Sequence, residues 1–93
     1  MHDWVLLSIV FEWAIGRATL SFDRYRSNEK LVANSVADLH VPQLNEWGPS
    51  VCVNEVKGPI VIDSGLQSLE IEMQSGDVIK IVAKSFEMPN EED

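Results

Sequence analysis

From Leu69 to Ala83 the sequence alternates with a period of two on both sides of one turn signal. Leu69, Ile71 and Met73 alternate with Glu70, Glu72 and Gln74; Ser75-Gly76-Asp77 follows; Ile79, Ile81 and Ala83 then alternate with Lys80 and Lys84. Successive side chains of a strand point to opposite faces, so this pattern buries one face of a hairpin and wets the other. A helix would scatter the same apolar residues around its circumference. Glu70 and Glu72 then lie on the solvent face across from Lys80 and Lys84, pairings of roughly a few tenths of a kcal/mol that pin register more than they stabilise.

The same period recurs upstream. Val5, Leu7, Ile9, Phe11 and Trp13 share one parity, with Ser8 and Glu12 on the other, while Trp4, Leu6 and Val10 dilute the pattern. Ala14-Ile15-Gly16 reads as a tight turn, after which Ala18, Leu20 and Phe22 face inward and Arg17, Thr19, Ser21 and Asp23 outward. Ser27-Asn28 reads as the next turn. Lys30 to Val41 changes parity near Ser35 and Val36, which predicts a bulge or kink that reconciles Leu31 and Ala33 with Val36, Leu39 and Val41 before Pro42 ends the ladder. Val51 to Val56 and Ile60 to Ile62 are short strand-like runs separated by Lys57-Gly58-Pro59, and Asp63-Ser64-Gly65 is a turn. No apolar stripe at helical spacing is sustained, so at most one helical turn is expected, in Pro49 to Val53. The expected fold is all-β: an antiparallel meander of about six or seven strands forming a sandwich or a partly open barrel.

A chain of 93 residues supports one core, since a domain of this size buries only roughly 60 to 65% of the surface its unfolded form exposes. Residues 1–87 form the expected β domain and 88–93 a mobile acidic tail. The net charge of −8 repels phosphate backbones, which argues against nucleic acid as a partner; it would attract a basic protein, although ordinary solubility accounts for it more readily. The sequence opens Met-His-Asp-Trp with no Lys or Arg before Arg17, unlike a secretory leader, and the apolar run from Val5 stops at Glu12, short of the roughly 20 residues of a membrane helix. With a single cysteine and no membrane signal, a cytoplasmic location is expected.

Reactive constellations are weak. His2-Asp3 and Asp38-x-His40 each offer two ligands, fewer than zinc normally takes from protein. Cys52 with His40 would make a nucleophile and base, but Val-Cys-Val is the setting of a small buried hydrophobe. Asp63-Ser64-Gly65 lacks the strand-to-helix elbow of a hydrolase serine, and the five glycines form no phosphate cradle. No catalytic residues, metal ligands or cofactor are assigned. Trp47, between Glu46 and Gly48-Pro49, either folds over the core or stands out as an anchor with Asn45, Glu46 and Ser50 as its polar rim.

The stretches HDWVLLSIVFEW (His2 to Trp13), VPQLNEWGPSVCVN (Val41 to Asn54) and LEIEMQSGDVIKIVA (Leu69 to Ala83) resemble a group of small, uncharacterised bacterial all-β proteins that begin His-Asp. That group is in turn similar to some families of immunity proteins from polymorphic toxin systems. The resemblance spans nearly the whole chain, brings no catalytic residues, and implies a cytoplasmic protein that binds another protein, with −8 suited to a basic toxin. The expected function is a non-enzymatic protein-binding module with Trp47, Glu46, Asn45, Ser50, Glu70 and Glu72 as contacts. Two alternatives stay open: a homo-oligomeric structural protein joined at the irregular Lys30 to Val41 strand or another exposed edge, and a small-molecule binder with a barrel mouth lined by Trp4, Trp13 or Trp47.

Overall fold

The alternating segments form strands β1 (Val5–Glu12), β2 (Arg17–Arg24), β3 (Ser27–His40), β4 (Val53–Asp63), β5 (Leu66–Met73) and β6 (Val78–Glu87) in the computed structural model, which describes residues 1–44, 51–63 and 65–89. All six belong to one antiparallel sheet of order β1-β2-β3-β6-β5-β4. The meander therefore runs in two halves: β1 to β3 in sequence, then a jump to the far edge at β4, from which β5 and β6 return to pair with β3. That jump brings the two outer strands together at one end. An antiparallel bridge joins Val5 to Cys52, the Leu6 N–H donates to the Val51 carbonyl (3.1 Å), and the Val53 N–H donates to the Trp4 carbonyl (2.8 Å). The ladder is not closed further, so the sheet is not a closed barrel, consistent with the expected sandwich or partly open barrel.

The inward parities assemble the core. Ala18, Leu20 and Phe22 of β2, Leu31 and Ala33 of β3, Leu69, Ile71 and Met73 of β5, and Ile79, Ile81 and Ala83 of β6 are all buried, as their alternation requires. Trp4 joins them at 4% exposure, edge-on to Phe22 with ring centroids 6.0 Å apart. The Arg24 guanidinium lies 5.3 Å from the Trp4 ring centroid, so a cation–π contact covers the outer side of this end.

Three local readings change. In β1, Leu6 pairs with Phe22 but Ser8 with Ser21, so Leu7 is an extra, bulged residue. The bulge switches parity: Leu6 and Ile9 pack on the core, whereas Leu7 and Trp13 are exposed. The β2–β3 turn is Tyr25-Arg26, not Ser27-Asn28. Both have positive φ (48° and 70°), the backbone that suits a two-residue hairpin, and the Arg26 N–H donates to Asp23 Oδ1 (3.0 Å). The helical turn is a 3₁₀ turn at Trp13–Ile15; Cys52 and Val53 are extended, and Pro49 and Ser50 lie outside the described residues.

The expected irregularity in β3 is present. Ser35 has φ 53°, the register shifts between Val36 and Asp38, and Val36 and Leu39 both pack on the core, while Val41 lies exposed beyond the strand. The two runs around Lys57-Gly58-Pro59 are one strand, β4, with register shifts that absorb the interruption. Gly58 sits there at φ 103°, and a Cβ on it would meet the Ser68 carbonyl oxygen at 2.5 Å. Of the acidic tail, Met88 and Pro89 follow β6 without regular structure and 90–93 lie outside the described residues.

Gly58→Ala combines a left-handed backbone with a backbone clash and is expected to lower unfolding stability by about 2 kcal/mol or more. Val61→Ala, on the same strand but 73% exposed, should stay within about 0.5 kcal/mol of the parent. Urea unfolding of the two variants checks the contrast.

Candidate functional site

Four of the expected contact residues, Asn45, Glu46, Trp47 and Ser50, lie outside the described residues. The described residues on either side of them are fixed to the β5–β6 turn. The Leu44 N–H donates to Oδ1 of the buried Asp77 (3.2 Å), Ser75 Oγ donates to its Oδ2 (3.0 Å), and the Gln74 N–H donates to the Cys52 carbonyl (2.9 Å). A buried carboxylate needs such donors, and the backbone bond from Gln74 ties Cys52 to the same turn.

Glu70 and Glu72 point outward from β5 but are half-buried. Glu70 stands in register between Lys57 of β4 and Lys80 of β6, so a carboxylate lies between two ammonium groups on the outer face of the sheet, with His40 of β3 next in the row beyond Lys80. Glu72 does not face Lys84. Its register partners are Val78 and Glu55, and its Oε1 accepts from Asn54 Nδ2 (2.7 Å). The reason is register: Glu72 lies closer to the turn than Glu70 does, and antiparallel pairing sets it opposite Val78 at the start of β6, far from Lys84 near the other end.

The weaker sequence candidates have structural surroundings. His2 Nδ1 donates to the Asn54 carbonyl (2.8 Å), its Nε2 is 3.4 Å from Asp3 Oδ1, and the same oxygen accepts from Gln74 Nε2 (2.6 Å), so His2-Asp3 clasps the N-terminal segment to β4 and the β5–β6 turn. Cys52 is half-buried, not fully buried, because it lies where β1 meets the approach to β4. Two strands, β6 and β5, lie in the sheet between His40 and that edge. Among the described residues no group of three or more His, Cys, Asp or Glu gathers as metal ligands would. Nor is any helix among them long and apolar enough to cross a membrane.

The feature that stands out is a cleft of about 490 Å³ between the turn after β1 and the bulge of β3, lined by Phe11, Trp13, Val36, Ala37, Asp38 and Leu39, with Gly16 at its base. Local chemistry builds it. Gly16 takes φ 62°, ending the 3₁₀ turn with its N–H on the Trp13 carbonyl (3.3 Å), and its own carbonyl accepts from the Val36 N–H (2.8 Å). That second bond fastens the turn to the β3 bulge. The turn throws Trp13 outward at 86% exposure, held edge-to-face on Phe11 with centroids 5.8 Å apart and planes at 83°. The bulge supplies Ala37 as its extra residue, next to an exposed Asp38 that also lines the cleft, while Val36 and Leu39 pack on the core. The lining thus has two aromatic rings, an aliphatic floor, one carboxylate and no basic side chain.

Of the three tryptophans weighed for a barrel mouth, Trp13 lines this cleft and Trp4 is core. The signal for Trp13 was in the sequence: Trp13-Ala14-Ile15-Gly16 puts large apolar side chains in a tight turn, where polar residues are usual. Its alternation with Phe11 and Ile9 disguised it as a core position. No family model matches the chain, and no curated protein or solved structure matches it.

Trp13→Phe is expected to remove an iodide-quenchable fluorescence component, and Trp4→Phe a protected one. In denaturation, Trp13→Ala should alter stability by no more than about 0.5 to 1 kcal/mol, whereas Trp4→Ala should cost about 3 to 5 kcal/mol by emptying a core site.

Proposed function

We propose that the chain is a non-enzymatic protein-binding module that docks a basic protein partner at the aromatic cleft beside Trp13. The observation that carries this reading is a tryptophan at 86% exposure, braced by Phe11 over an apolar concavity. Water gains nothing by solvating such a surface, and aromatic anchors seated against pockets dominate the energetics of protein interfaces. A net charge of −8 steers a basic partner toward it and raises the encounter rate. The likeness to immunity-protein families fits the same reading, with a basic toxin as the partner. General acid–base catalysis needs two groups of separated proton affinity, and the cleft lining offers a single carboxylate. Asn45, Glu46, Trp47 and Ser50, together with Glu70 and Glu72, make up a second contact region in this proposal.

One observation favours a second reading. Ile60, Val61 and Ile62 are all exposed on β4, an outer strand of the sheet, and an apolar edge invites pairing with another copy.

Tagged protein used as bait at low and high salt tests the first reading. Capture of a basic partner that weakens with salt and is lost with Trp13→Ala is expected, with an unchanged circular dichroism spectrum for the variant. Capture unaffected by Trp13→Ala removes the cleft from the interface. A concentration-dependent dimer by light scattering, abolished by Val61→Lys, would instead establish the edge-paired oligomer.

A further inference from the structure

We infer that the side chain received by the cleft is an arginine of the partner protein, an inference that rests on the docking reading above. Trp13 meets Phe11 nearly perpendicularly, at 83°, and remains 86% exposed, so its indole surface is open to a planar cation. A guanidinium stacks on such a face and is more weakly hydrated than an ammonium, which makes it the cheaper cation to dock. Asp38 is the one titratable side chain of the lining, and its carboxylate matches the guanidinium fork. Ala37, Val36 and Leu39 offer apolar surface to the methylene stem. Arg17, in register with Glu12 at the end of the β1–β2 hairpin, does not line the cavity.

A neutral aliphatic anchor would fill the same volume but bring no counter-charge to Asp38, so it forgoes the charge-assisted contact. Charge complementarity thus selects between two occupants that shape alone would admit. The fold already contains one such contact, in which the Arg24 guanidinium covers the Trp4 ring at 5.3 Å. The cleft presents the receiving half of that pair, an exposed indole with a carboxylate beside it, and no cation of its own chain in the lining.

Titration of the full chain with Nα-acetyl-arginine amide, and with its neutral isostere Nα-acetyl-citrulline amide, tests this by NMR of the Trp13 indole N–H, assigned from the Trp13→Phe spectrum. The arginine probe should shift that signal saturably and bind roughly tenfold more tightly than citrulline, an advantage that declines with salt. Asp38→Asn should remove most of that advantage, leave only the smaller preference that the Trp13 face gives a cation, and leave citrulline unchanged. Equal affinities for the two probes, or an arginine preference undiminished by Asp38→Asn, overturn the inference while the docking reading stands on the bait experiment. Tighter binding of Nα-acetyl-norleucine amide than of arginine also overturns it, in favour of an apolar anchor. If no probe moves the Trp13 signal the inference fails as well, and loss of partner capture in Trp13→Ala still decides separately whether the cleft is an interface.

Discussion

The backbone bonds between the segment around Trp4 and Val5 and the segment around Cys52 and Val53 set the form of the molecule. A six-stranded antiparallel sheet of this size could lie open with one wet face, and its apolar parity would then need another layer. Here the outer strands are drawn together at one end, so the sheet curls and its inner face becomes its own core. Burial of Trp4 against Phe22, with Arg24 across its ring, fills the end that this junction creates. The junction depends in turn on strand order, because only a chain that jumps from β3 to the far edge can place β4 beside β1.

Two bulges then decide what faces where. Each inserts one residue, Leu7 in β1 and Ala37 in β3, and each flips the parity of the strand residues beyond it. Without the second, Asp38 and Leu39 would exchange faces, and the cleft would lose either its carboxylate or its floor. The hydrogen bond from the Val36 N–H to the Gly16 carbonyl couples this bulge to the turn that displays Trp13. The cleft is therefore a product of two irregularities clamped together, a common origin for binding features on regular β scaffolds.

Electrostatics divides between the two faces of the chain's chemistry. Lys57, Glu70 and Lys80 alternate in charge in register across the outer sheet surface, where such pairs favour register and solubility over stability. Asp38 has no such counterpart in the cleft lining. A carboxylate next to exposed aromatic rings, on a chain of net charge −8, is poised for a cationic ligand in a way that the balanced row is not.

The alternation from Leu69 to Ala83 and from Arg17 to Asp23 determined by itself that the chain is all-β and which of those side chains form the core, because side-chain direction along a strand is a local property with a period of two. The parity change near Ser35 was legible for the same reason. In β1 apolar residues fall on both parities, so the sequence pattern admitted two faces, and only pairing with β2 through the Leu7 bulge selected Leu6 and Ile9 for the core and released Trp13 to the surface. The hairpin pattern paired Glu70 with Lys80, but Lys57 beside Glu70, and Asn54 and Glu55 beside Glu72, come from β4 on the other side of β5, a neighbour no local pattern specifies. The cleft joins residues 11 to 16 to residues 36 to 39, and the Val36 N–H to Gly16 carbonyl bond that brings them together is a backbone contact with no side-chain signature. Local periodicity decided the elements and their inward faces; long-range pairing decided the register, the curl of the sheet and the placement of an exposed aromatic pair beside a carboxylate.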